Sequence, residues 1–116
     1  MESILTSVKK MLGISEEYEH FDPDIIMHIN TVLVILNQLG VGPAGGFRIE
    51  GEDAEWNDYL DDNMLLETVK TYIGLKVRLI FDPPQSSAAI ESMNRLISEL
   101  EWRISVTVDP SEETTI

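Results

Sequence analysis

The chain has 116 residues and a mass of 13.1 kDa, the scale of one domain with one core, and its 43% hydrophobic content argues against wholesale disorder. Twenty-one acids against eight bases give a formal net charge of −13, which disfavours generic nucleic-acid binding because phosphate neutralisation needs clustered Lys and Arg. There is no cysteine, so disulfides, thiolate metal sites and thiol catalysis are excluded together, and the composition fits a reducing compartment.

The opening MESILTSVKKMLG carries an acid at position 2 and no long apolar run, so it does not read as a signal peptide, and no later run is apolar enough for a membrane span. Residues 3–12 predict a short first helix, with Ser3 as N-cap, Ile4, Leu5, Val8, Met11 and Leu12 on one face, and Gly13 at the stop. Lys9 and Lys10 fall in its last turn, where they complement the helix dipole. Residues 14–21 read as a polar linker with scattered aromatics. The sequence Phe21-Asp22-Pro23-Asp24 then predicts a second helix, with Asp22 as N-cap and Pro23 in the first helical position. Ile25, Ile26, Ile29, Val32, Leu33, Leu36 and Leu39 form its apolar face, and Gly40 ends it.

Residues 40–53, GVGPAGGFRIEGED, read as a Gly-rich loop, long enough to suggest a functional or partner-ordered segment. Phe47 and Ile49 alternate with polar neighbours, a pattern compatible with a short extended piece or a hairpin. Residues 53–60 predict one or two helical turns that put Trp56, Tyr59 and Leu60 on one face. From Glu50 to Glu67 the acids are dense and no base interrupts them.

The stretch LLETVKTYIGLKVRLIFDPP at residues 65–84 predicts a helix apolar on most of its circumference. Leu66, Val69, Ile73, Val77 and Ile80 form one face; Leu65, Tyr72, Leu75 and Leu79 widen it. Such a helix is buried against several neighbours. It must end at Asp82-Pro83-Pro84, because proline lacks the N–H and displaces its predecessor from the helical region. A last helix is predicted over residues 87–104, with Ser86 or Ser87 as cap. Ile90, Met93, Leu96, Ile97, Leu100 and Ile104 form its stripe, and Glu91–Arg95 and Glu99–Arg103 are expected pairs. Residues 107–116 read as a mobile or partner-docked tail. The fold class expected is all-α: a small antiparallel bundle of three main helices plus one or two short ones, as a single domain over residues 1–116.

No catalytic constellation stands out. His20 and His28 have no companion ligands at zinc spacing, the glycines at 40, 42, 45 and 46 complete neither a P-loop nor a dinucleotide fingerprint, and no nucleophile elbow occurs. Asp53, Glu55, Asp58, Asp61 and Asp62 lack the calcium-loop pattern and read as a solvated face. No catalytic residue, metal site or cofactor is therefore expected.

The runs FDPDIIMHINTVLVILNQLGVG, TYIGLKVRLIFDPP and SSAAIESMNRLISELEWRI resemble the head–tail connector proteins of tailed bacteriophages, also called head-completion or adaptor proteins. The resemblance extends over residues 4–110, and residues 72–84 carry its most specific part. It implies a small helical protein without enzymatic activity, made in the bacterial host cytoplasm and located in the virion at the head–tail junction. Its expected partners are the portal protein, a neighbouring connector or tail protein, and further copies of itself in a ring. DNA would pass through the ring without sequence-specific binding, and no membrane is involved. Heterologous ring contacts need apolar anchors and complementary charges. The candidate interface residues are Phe47, Arg48, Trp56, Tyr59, Lys76, Arg78 and Trp102. Lys70, Lys76 and Arg78 place three of the eight bases on one helix, where they are expected to meet acids of the same or a neighbouring subunit, such as those of residues 50–67. Two readings from other classes remain open: an acidic DNA mimic that sequesters a basic partner, and a small metal-dependent hydrolase using the acid block.

Overall fold

The computed structural model describes residues 2–109, and their secondary structure is entirely helical apart from one isolated bridge. In chain order the helices are α1 (Ile4–Met11), α2 (Asp22–Gln38), α3 (Trp56–Tyr59), α4 (Met64–Phe81) and α5 (Ser87–Val108). The caps explain most of the boundaries. The Ser3, Asn63 and Ser86 side chains accept from the backbone N–H of Thr6, Leu66 and Ala89, at 3.3, 3.2 and 3.3 Å. Asn63 starts α4 one residue before the apolar run at Leu65. Gly40 closes α2 at φ 93°, and a Cβ there would lie 2.7 Å from Val108 Cγ1, so glycine is required both by backbone and by the approach of α5.

Helix α4 is in contact with all three other long elements. It packs on α2, α5 and α1, whereas α2 and α5 barely meet. Leu66, Val69, Tyr72, Ile73 and Val77 of α4 are buried, together with Ile25, Ile29, Val32, Leu33 and Leu36 of α2 and Ile4, Leu5 and Val8 of α1. The chain direction alternates: Phe81 at the end of α4 meets Phe21 at the start of α2, ring centroids 5.2 Å apart, so α2 and α4 are antiparallel. The five-residue turn after Phe81 returns α5 antiparallel along α4. Tyr72 Oη donates to Glu101 Oε2 at 2.6 Å across that contact, and Lys76 Nζ lies 4.0 Å from the same carboxylate oxygen.

The structure corrects several expectations. Asp22 is not the cap of α2: it is the first helical residue, Phe21 precedes it without a side-chain cap bond, and its carboxylate pairs with Lys9 Nζ at 2.9 Å. Lys9 is only 2% exposed. Its ammonium also donates to the carbonyls of Glu16 and Tyr18, at 3.0 and 2.7 Å, so the polar linker folds over a buried cation. Ile80 is half exposed although it continues the periodicity of α4. Helix α5 buries only Ile97 and Ile104 fully, and Leu96 is exposed: one partner helix covers a narrower stripe than the sequence offers. Arg95 bonds Ser92 Oγ at 3.4 Å instead of the expected Glu91, while Arg103 and Glu99 pair at 3.1 Å. Helix α5 continues to Val108, four residues past the expected stop, and ends before Pro110. Thr107 and Val108 of the expected tail are therefore helical; residues 110–116 lie outside the described residues.

Segment 40–53 is held to the helices at several points. Asn30 forms a two-bond clip on Ile49, accepting from its N–H at 2.8 Å and donating to its carbonyl at 2.9 Å. Val41 and Ile49 are buried, and Asn37 Nδ2 donates to the Pro43 carbonyl at 3.0 Å. The expected extended piece at 47–49 is thus satisfied by a side-chain amide rather than by a second strand. The single bridge joins Ser3 to Glu55 and ties the start of α1 to α3.

Replacing Lys9 by Met is expected to lower stability by about 2–3 kcal/mol, since it leaves the Asp22 carboxylate and two carbonyls without their donor. Urea unfolding followed by Trp fluorescence measures this.

Candidate interaction surfaces

The candidate interface residues fall into two groups. Trp56 is completely buried, and its Nε1 donates to Ser7 Oγ at 2.8 Å while Ser7 donates to Glu2 Oε1 at 2.6 Å. The Glu2 carboxylate also binds Lys10, and these contacts hold it below the usual carboxylate range. Trp56 is therefore a core anchor of the subunit, presenting no surface to a partner. Tyr59 is also buried and carries Phe47 on its ring, centroids 5.0 Å apart. Its phenol is pushed up by burial.

The other candidates reach solvent. Phe47 is half-buried, and Arg48 is exposed and pairs with Glu50 at 3.3 Å. Trp102 is 47% exposed on the outside of α5. Lys76 is occupied within the subunit by Glu101, with its ammonium 5.8 Å from the Tyr72 ring centroid. Lys70 pairs with Glu67 at 3.7 Å and lies over the Trp56 ring, 5.6 Å from its centroid. The expected acids of residues 50–67 thus reach Lys70 through Glu67; Lys76 takes its partner from α5. The Arg78 guanidinium is exposed and forms no ion pair among the described residues.

Arg78 borders a cleft of about 570 Å³ between the end of α1, one face of α4 and the start of α5. Met11, Gly74, Leu75, Pro84 and Met93 give it apolar walls, and no acid lines it. A Cβ at Gly74 would stand 2.3 Å from Met11 Sδ, so the glycine lets α1 close that side of the cleft. Sequence reasoning missed this cleft because its walls come from three helices.

The remaining polar features are structural. Within the acid block Asp58 accepts from the Glu55 N–H at 2.8 Å and caps α3, whereas Asp53, Asp61 and Asp62 are exposed. His20 and His28 belong to an aromatic collar with Tyr18, Phe21 and Phe81. Among the described residues, no group of three or more His, Asp or Glu is placed to hold a metal ion, and no helix is long and apolar enough to cross a membrane.

A family model described as phage connector protein matches residues 4–111. The chain belongs to the phage connector protein family. This family is structural and non-enzymatic, and membership makes the chain a connector that interacts with other virion proteins. Neither the curated proteins nor the solved structures yield a significant match. The connector's surfaces must therefore be read from its own side chains.

The connector's stability should fall in strong alkali. Burial, together with the hydrogen bond to Glu101, raises the Tyr72 phenol above its ordinary value of 10.0. A raised folded value means that the stabilisation is complete below about pH 10 and is lost as pH rises through the folded value. Tyr72→Phe should leave a smaller drop in urea midpoint between pH 8 and pH 11 than the parent chain, with Tyr59 supplying the remainder.

Proposed function

We propose that this connector is a head-completion adaptor that docks on the portal protein as a ring, extends the DNA channel and links head to tail. The observation that carries the reading is the family match over residues 4–111. A small all-helical subunit with exposed apolar side chains on α2, α4 and α5 suits a part that is completed by neighbours. Met27, Val34, Met64 and Trp102 are exposed on a chain whose core is already filled by others. The charge of −13 suits a channel wall past which DNA slides without sequence-specific contact. Of the candidate interface residues, Phe47, Arg48, Arg78 and Trp102 are the ones a portal, tail protein or neighbouring copy can touch. Lys76 contributes from the rim of the α4–α5 contact, Tyr59 acts indirectly by holding Phe47 and segment 40–53 in place, and Trp56 acts indirectly by tying α3 to α1. In this reading the protein is made in the bacterial host cytoplasm and resides at the head–tail junction of the virion.

Electron microscopy of purified portal mixed with the connector is expected to show an added ring of density on one end of the portal. Absence of the chain from the head–tail junction of intact virions would sink the proposal. Capture of a basic DNA-binding protein in place of portal in a pull-down would favour the DNA-mimic reading.

A further inference from the structure

Helices α2 and α4 carry two stripes with the same spacing; the α2 stripe is exposed, and on the α4 stripe Arg78 and Thr71 are exposed while Leu75 and Thr68 are half-buried. On α2 the stripe is Asp24, Met27, Thr31 and Val34; on α4, read from its C-terminal end, it is Arg78, Leu75, Thr71 and Thr68. Both run in steps of three, four and three residues, the spacing that lines up one face of a helix. Each stripe holds one charge, at matching ends and of opposite sign. Neither Asp24 nor Arg78 has an ion-pair partner among the described residues, although six of the chain's eight bases do. Met27 and Val34 are each 57% exposed.

The threonines strengthen the match. The hydroxyls of Thr31, Thr68 and Thr71 donate to the carbonyls of Met27, Met64 and Glu67 on their own helices, at 3.1, 3.4 and 3.3 Å. Their polar atoms are satisfied locally, and their methyl groups are left for a neighbour. The α4 stripe also forms one side of the apolar cleft, where Leu75 and Arg78 face Met11 and Met93. No α2 residue lines that cleft, so the two stripes are separate patches on one subunit.

We infer that the α2 stripe of a second copy of this chain docks antiparallel on the α4 stripe, with Asp24 on Arg78 and Met27 entering the cleft beside Leu75. The inference rests on the self-association in the proposed function and names the surfaces that perform it. Within the subunit α2 is already antiparallel to α4. An antiparallel contact with the next copy's α2 therefore leaves all copies pointing the same way, as a ring around one axis requires. Each copy offers one donor stripe and one acceptor cleft, so the contact is heterologous and repeats around the ring. The charge pair sets the register, since a shift by one helical turn would separate Asp24 from Arg78 and strip both of their counter-charge.

The absence of native cysteine permits a direct test. The full chain carrying Met27→Cys and Leu75→Cys, oxidised at millimolar concentration and also on the portal, is expected to form a covalent ladder that extends beyond dimers. Arg78→Asp should weaken assembly about tenfold, and adding Asp24→Arg to it should restore assembly, which a folding defect would not allow. Assemblies that form without the 27–75 cross-link, or that ignore the charge reversal, overturn the inference and leave the connector reading standing. Covalent dimers from Thr71→Cys alone would instead mean a two-fold α4–α4 contact and also overturn it. No self-association in either setting overturns both the inference and the ring.

Discussion

Helix α4 has more apolar circumference than any one neighbour can cover, and the rest of the fold answers that constraint. A helix presents a stripe of about 100° or more to a single partner, and the apolar side chains of α4 exceed that. Helices α1 and α2 cover one part of it and α5 another. The double proline after Phe81 is what makes the second part possible, since a helix that continued straight could not return along its own length. Because α2 and α5 serve the same helix from different sides, they hardly touch each other. The result is a row of helices 20 Å thin in its shortest dimension, about two helix diameters. Both α2 and α4 therefore retain an outward face.

Short-range pins hold the non-helical parts to this row. Lys9 gathers the linker after α1, Asn30 clips Ile49, and Ser7 links Trp56 to Glu2. Each satisfies polar groups that would be costly to bury alone. These pins also decide what remains for a partner. Trp56 and Lys76 are absorbed within the subunit by Ser7 and Glu101, whereas Trp102 and Arg78 are not. A connector that must pack against other virion proteins cannot be recognised by its most conspicuous residues, because the largest aromatic in the acid block serves the core.

The periodicity of α2 and α4, the caps at Ser3 and Ser86 and the stop at Asp82-Pro83-Pro84 were legible because each depends on residues within a turn or two of one another. The start of α4 at Asn63 was available by the same rule, a cap residue ahead of an apolar run. The end of α5 at Val108 was not legible in this way.

 Ile104, Val106, Thr107 and Val108 are β-branched and lower local helix propensity, and packing along α4 and against Gly40 overrides that preference.

The sequence by itself determined the all-helical class, the order of the elements, the acidity and the family, because caps, prolines, spacing and charge are local or additive properties of the chain. Only the tertiary structure decided which side chains face a partner. Trp56 meets Ser7 across 49 positions and Tyr72 meets Glu101 across 29, and no local pattern encodes such meetings. The second follows from α4 being shared by three neighbours, and that sharing leaves Arg78 exposed beside an apolar cleft while Lys9 is buried under the linker.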